Sequence, residues 1–345
     1  MKTTLLRLLL GASLLLGTVN LKAQLGVNGQ QVVAEVSGKK LTSGDLEQQE
    51  GGKLLQARYQ YYLNQRKALD DLIDGQLLAN EATKKHLTVD QLLEQEVYKQ
   101  VKDPTEDQLQ VYYEGLDTQQ PYEAIRVQVL EHIRELRRTK ARAAYVEALR
   151  KQADISVLLM PPMANVDLAN SYIRGPRDAE IVLVEFADYE CPYCEKVTPG
   201  LQQLRKEYGD KVAIAFKDFP LPMHHRAEKA AEAARCAGAQ GKFWEYHDVL
   251  FNSKALDVAD LKKNARVLNL DGDRFDKCLD NGDMTELVKK DLEEGKSLGL
   301  TGTPSFFING HFFSGAVDYA ALKQMVDQQL AVNKRAHSQS IVSKR

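Results

Sequence analysis

Residues 181–194 run from an apolar segment, Ile181-Val-Leu-Val-Glu-Phe186, into Cys191-Pro-Tyr-Cys194 and then into a helical pattern, and few folds accept that succession. Two cysteines three positions apart on the first turn of a helix can close a small disulfide. The helix N-terminus stabilises the first sulfur as a thiolate. Such a pair supports thiol–disulfide exchange: attack by one thiolate, a mixed disulfide, then resolution by the second sulfur. A zinc site would need two further ligands at suitable spacing. Cys236 and Cys278 stand alone, and no pair of histidines lies three to five residues apart, so neither a metal nor another cofactor is expected.

The 345-residue chain has room for two domains, and its net charge of −2 carries no basic excess that would suit nucleic acid. Residues 1–23 read as a secretory signal peptide, with Lys2 and Arg7 ahead of an apolar stretch and Leu21-Lys22-Ala23 as the cleavage site. No cysteine follows that stretch to take a lipid anchor. The expected product is exported, soluble and periplasmic, in a compartment where disulfides persist. All four cysteines (191, 194, 236 and 278) fall in the second half. One redox pair plus a structural Cys236–Cys278 disulfide fits that count, and two buried free thiols is the other reading.

Residues 24–160 read as mostly α-helical. A short strand at Val32–Val36 and a turn at Ser37-Gly38 lead to a helix capped at Thr42 or Ser43. An apolar stripe follows over Leu69–Leu78. Further helices are expected over Glu106–Tyr113 and Tyr122–Gln152, the last with Ile125, Val129, Ile133 and Leu136 in register. A strand at Ile155–Leu159 would close this half. Residues 161–177 suit a linker or strand-leading loop. From 178 to 333 the pattern becomes β-α-β, a helical block at about 224–300, the hairpin Ser305–Phe313 around Asn309-Gly310, and a closing helix. That is an α/β thioredoxin fold with a helical insertion. Residues 334–345 form a basic tail expected to be disordered.

Within this frame Cys191 is the exposed attacking thiol and Cys194 the resolving one. Pro192 suits the first helical turn, and Pro199 sits inside the same helix. Glu185 is either a buried carboxylate relaying a proton to Cys194 or a strand-edge residue facing solvent. Asp188 and Glu190 read as exposed loop acids. Pro304 feeds a strand, and a cis bond there would set the Thr303 backbone beside the cysteines to pair with a client strand. The Thr303 hydroxyl could reach the Cys191 sulfur as well. Lone His224, His225 and His247 receive no role, and Phe243, Trp244 and Tyr246 read as core of the helical block.

Four runs carry a resemblance: Glu180–Cys194, Lys217-Asp-Phe-Pro-Leu221, Gly241-Lys-Phe-Trp-Glu-Tyr-His247 and Thr301-Gly-Thr-Pro-Ser-Phe-Phe-Ile-Asn-Gly310. Together they resemble the DsbA-like thioredoxin family of disulfide oxidoreductases over about 178–332. The resemblance implies Cys191 as attacking cysteine, Cys194 as resolving cysteine, Glu185 as buried acid and Pro304 as cis-proline. It implies partly folded exported proteins as clients and a membrane or soluble redox partner that recycles the site. The central Pro-Tyr is similar to glutaredoxins rather than to the Pro-His of DsbA oxidases, which leaves oxidase, isomerase and reductase open. Residues 30–160, through Val33–Thr42, Ala68–Leu78 and the closing helix and strand, resemble the N-terminal domain of SurA- and PrsA-type foldases. That likeness implies either a peptide-holding chaperone domain or a dimerisation arm for a homodimer, without prolyl isomerase activity.

Overall fold

A computed structural model describes residues 30–314 and 317–342, with side chains as far as 335. The expected signal peptide and residues 343–345 lie outside the described residues.

Strands β1 (Val32–Val36) and β2 (Lys39–Thr42) form an antiparallel hairpin. Ser37 and Gly38 both take positive φ, 51° and 79°, as a two-residue hairpin turn requires. Thr42 then opens α1 (Ser43–Lys84) with a capping box. Its Oγ1 accepts from the Asp45 N–H at 3.1 Å, and the Asp45 carboxylate accepts from the Thr42 N–H at 2.7 Å. Thr88 and Thr105 open α2 (Val89–Glu96) and α3 (Glu106–Glu114) in the same way. Helix α4 (Tyr122–Gln152) completes the N-terminal half.

The stripe on α4 is shorter than its sequence suggests. Ile125, Val129 and Ile133 pack on Leu109 of α3, and Val146 packs with Leu78, Leu92 and Leu93 of α1 and α2. Leu136 falls between these two clusters and is 51% exposed. Residues 155–159 form no strand. No neighbouring strand meets them, and a strand needs a partner to satisfy its backbone.

Five strands make the C-terminal sheet: β3 (Tyr172–Arg174), β4 (Ile181–Ala187), β5 (Val212–Asp218), β6 (Ser305–Ile308) and β7 (His311–Ser314). Their order is β3-β5-β4-β6-β7, with β4 and β5 parallel and the other pairs antiparallel. α5 (Pro192–Tyr208) joins β4 to β5, and α11 (Tyr319–Val342) packs beside it on the same face. The expected linker is part of this sheet. β3 pairs with β5, although three residues are too few to show a strand period. At the opposite edge the Phe312 N–H donates to the Pro162 carbonyl and the Ala164 N–H to the Gly310 carbonyl, each at 2.9 Å. An extended strap thus covers the open side of β7, where prolines cost no ladder donor.

The N-terminal half is not separate from this core. Leu55, Tyr59 and Tyr62 of α1 pack with Val184, Phe186, Phe307 and Phe312 on the second sheet face. A Cβ on Gly52 would lie 2.5 Å from the Gly299 nitrogen, so only glycine allows α1 to lie this close to the turn before Thr303. One helix belongs to both halves, and the expected boundary at residue 160 does not separate their cores.

Between β5 and β6 stand α6 (Ala227–Gly238), α7 (Phe243–Ser253), α8 (Val258–Val267), α9 (Gly272–Asn281) and α10 (Thr285–Ser297). Cys236 of α6 and Cys278 of α9 are disulfide-bonded, with Cα atoms 5.9 Å apart and a sequence separation of 42. By chain entropy that closure stabilises by about 4 kcal/mol. The double variant Cys236→Ala/Cys278→Ala should lose about that much in urea unfolding. An unchanged midpoint would show that the helical block does not depend on the bond. The last helix runs to Val342 rather than stopping near 333. No glycine or proline interrupts residues 317–342, and each added helical residue gains a hydrogen bond once the helix is nucleated.

Candidate active site

Alternation along β4 decides where each side chain goes. Ile181 and Leu183 face α5 with Val197, Leu201 and Leu204, while Val184 and Phe186 face α1 and α10. Glu185 shares the α5 side. It is 1% exposed and its Oε1 has no hydrogen-bond partner. Burial pushes its carboxyl up to about 8, so at neutral pH it holds its proton.

The strand ends in a loop organised by Asp188. This residue is buried, contrary to the expectation of an exposed acid. Its carboxylate accepts from the Glu190 N–H at 2.7 Å and the Leu221 N–H at 2.8 Å, and it lies 2.7 Å from His224 Nδ1. An aspartate that binds the amide two residues on is an Asx turn, a signal present in the sequence. Glu190 is also engaged, in an ion pair with Arg226 at 2.8 Å.

Cys191 is the N-cap of α5 and Pro192 its first residue. Cys191 and Cys194 are free thiols, and both are buried. The expectation of an exposed Cys191 therefore fails: it is 4% exposed. Its N–H donates to the Asp188 carbonyl at 3.1 Å, and its Sγ–H donates to the Thr303 carbonyl at 3.4 Å. These contacts hold the sulfur beneath the Thr303–Pro304 segment, whose peptide bond is cis.

With so little water near it, the Cys191 thiolate depends on protein donors. The Cys194 thiol is the strongest, followed by the Thr303 hydroxyl and the Cys194 and Tyr193 backbone N–H groups; against the cost of burial they hold Cys191 down at about 5. The Thr303 hydroxyl is buried with no partner while the sulfur keeps its proton. Ionisation turns that sulfur into an acceptor for it. Burial pushes Cys194 well above its ordinary value, and the hydrogen bond it gives to Cys191 and the nearby Glu185 add to the rise. The fold thus brings Cys191, Cys194, Thr303, Pro304 and Glu185 together and splits the two thiols apart in acidity. Cys236 and Cys278 are spent in their disulfide.

His247 is 4% exposed and sits in a ring cluster with Tyr189, Phe216, Trp244 and Phe251. On α7 it follows the buried positions Phe243 and Tyr246, a helical spacing that reads as core. Among the described residues no cluster of side chains could hold a metal ion.

Residues 168–328 match the family described as Thioredoxin. This stretch is thus similar to the thioredoxin family, and the helical block between β5 and β6 is set into that fold. The match leaves residues 30–160 outside it. Among curated proteins, the chain is similar to the Na(+)/H(+) antiporter NhaA 3 of Salinispora tropica, at 36% identity over 191 residues, covering 55% of this chain and 29% of that protein. It is also similar to the Na(+)/H(+) antiporter NhaA of Herminiimonas arsenicoxydans, at 37% over 169 residues, 49% and 26%. The chain therefore spans less than a third of either relative. Among the described residues no helix is long and apolar enough to cross a membrane. Solved structures similar to it include the catalytic domain of Proteus mirabilis ScsC, at 32% identity, 48% of this chain, 93% of that chain and a TM-score of 0.43. BdbD from Bacillus subtilis is another, at 20% identity, 52%, 100% and 0.45.

Proposed function

We propose that the protein is an exported protein disulfide oxidoreductase that passes disulfides to cysteines of folding clients. The observation that carries this is the divided acidity of one thiol pair at a helix N-terminus, Cys191 at about 5 and Cys194 well above its ordinary range.

The exchange follows from that division. A client thiolate attacks Cys191 Sγ of the disulfide form, the bond to Cys194 breaks, and Cys194 leaves with the electron pair and takes a proton from Glu185. A second client thiolate attacks the client sulfur of the mixed disulfide, and Cys191 departs as a thiolate. The client loses two electrons and two protons. The protein gains both electrons, Cys194 keeps the proton given by Glu185, and the client's two protons pass to solvent, from which Glu185 regains one. Lowering Cys191 from 9 to about 5 favours the reduced form by roughly 3 kcal/mol at pH 7. That bias supports donation of disulfides rather than their reduction.

A reduced, denatured client with paired cysteines tests the reading, with the potential of the 191/194 pair measured against glutathione on the same sample. The expected result is client disulfides formed at the expense of the pair, with a potential more oxidising than that of glutathione. A client left reduced beside an oxidised pair, or a metal bound to both sulfurs, would overturn it. The periplasm as its compartment, a recycling redox partner and self-association through the N-terminal half belong to the same proposal.

A further inference from the structure

Asp188 stands between the two cysteines and the loop that follows β5. Its carboxylate is wholly buried. Oδ1 accepts from the Glu190 N–H at 2.7 Å, within its own turn, and Oδ2 accepts from the Leu221 N–H at 2.8 Å. The third partner is His224 Nδ1, 2.7 Å from Oδ2, which donates because a carboxylate accepts. Two residues on, the Glu190 carboxylate takes the Arg226 N–H at 2.9 Å and the Arg226 guanidinium at 2.8 and 3.1 Å. Residues 221–226 are thus stapled twice to the three residues that precede Cys191.

The turn itself needs less than this. An Asx turn is complete with the Glu190 N–H, whereas Leu221 and His224 grip the carboxylate from 33 and 36 positions away. What they fix is the Asp188 backbone, which touches both cysteines. Its carbonyl accepts from the Cys191 N–H at 3.1 Å. Its N–H bonds the Cys194 sulfur and favours the thiolate there. Cys194 is fully buried, so water cannot replace that contact.

We propose that Asp188 is a positioning residue for the departing Cys194 sulfur: Leu221 and His224 clamp its carboxylate so that its backbone N–H meets the charge that appears on Cys194 when the disulfide opens. The inference rests on the exchange described above. In that step a thiolate attacks Cys191 Sγ, a new S–S bond forms, the Cys191–Cys194 bond breaks, and its electron pair goes to Cys194. The Asp188 proton stays on its nitrogen throughout, and Glu185 protonates Cys194 afterwards. The contact therefore matters only while Cys194 is charged. Reduced Cys194 keeps its proton. The principal donors to the Cys191 thiolate are the Cys194 thiol, the Thr303 hydroxyl and the Cys194 and Tyr193 N–H groups, none of them on Asp188. A loosened clamp should slow opening and closing of the disulfide by one factor and leave their ratio, the potential, in place.

The test uses the full mature chain, its disulfide form reduced by dithiothreitol and its dithiol form reoxidised by oxidised glutathione, with the potential measured against glutathione. Asp188→Asn keeps Oδ1 for the Glu190 N–H and sets an amide nitrogen against the Leu221 N–H and His224, so the turn survives and the clamp is cut. Both rates should fall roughly tenfold, the worth of one hydrogen bond to a charged atom, and the potential should not move. His224→Ala should lose rate in the same sense, and His224→Asn, whose side-chain amide can take the place of Nδ1, should recover it. Unchanged rates in Asp188→Asn, a potential that shifts with the rate, or His224→Asn no faster than His224→Ala would overturn the proposal. Should Asp188→Asn fail to fold, the two His224 variants decide alone. A wild-type pair that exchanges with neither reagent would instead remove the oxidoreductase reading itself, and this role with it.

Discussion

Cys191→Ala is expected to abolish disulfide transfer, with a loss of at least about a thousandfold, because the attacking sulfur has no substitute at the site. Cys194→Ala should behave differently. Cys191 still meets a client, but no second sulfur resolves the product, so mixed disulfides accumulate and survive on a non-reducing gel. The same change should raise the acid midpoint of Cys191 above about 5, since the Cys194 thiol is its strongest donor. Thiolate absorbance in the ultraviolet against pH reads this directly. A midpoint that stayed in place would mean that the backbone N–H groups of α5 and the Thr303 hydroxyl hold the charge unaided. Transfer surviving in Cys191→Ala would place the chemistry elsewhere.

Glu185→Gln should raise stability at neutral pH while slowing exchange. The native carboxyl titrates at about 8 against an ordinary 4.5, so between those values the folded chain holds a proton that the unfolded chain has released. Stability must fall as pH rises through this window. By pH 7 the accumulated cost is about 3 kcal/mol, and removing the ionisable group returns it. Urea unfolding of the disulfide form, which leaves the thiols out of the titration, should show the variant ahead of wild type by about that amount at pH 7 and level with it near pH 4. Equal stability at both pH values would mean that Glu185 is hydrated well enough to ionise in place. Keeping a costly acid under α5 is understandable only if its proton is used, which is why stability and rate should move in opposite directions.

How much of the fold is written in local sequence differs from element to element. Tyr122–Gln152 is helical over the whole range expected, because a run that long and that periodic has no competing structure. Thr42 caps α1 because its side chain and that of Asp45 satisfy each other across three residues. The hairpin at Asn309-Gly310 follows from two residues that tolerate positive φ, 48° and 83°. These are local interactions, complete within a few positions of the chain. The errors share an opposite origin. Asp188 looked like a surface acid because its partners, the Leu221 amide and His224, arrive from a loop some thirty residues later. Residues 161–174 looked like a linker because the edges of β5 and β7 that they cover are distant in sequence.

The chain by its letters determined that a strand delivers a cysteine pair to the first turn of a helix, since apolar runs, Pro192 and the three-residue spacing act over short range. What it could not determine is the environment of those sulfurs. Two things divide their acidity across the fold: the Thr303 hydroxyl that reaches the Cys191 sulfur, and the burial of Cys194 beside Glu185. Each joins residues more than a hundred positions apart or depends on which strand face is covered. Burial and charge act through space, so only the assembled tertiary structure fixes them.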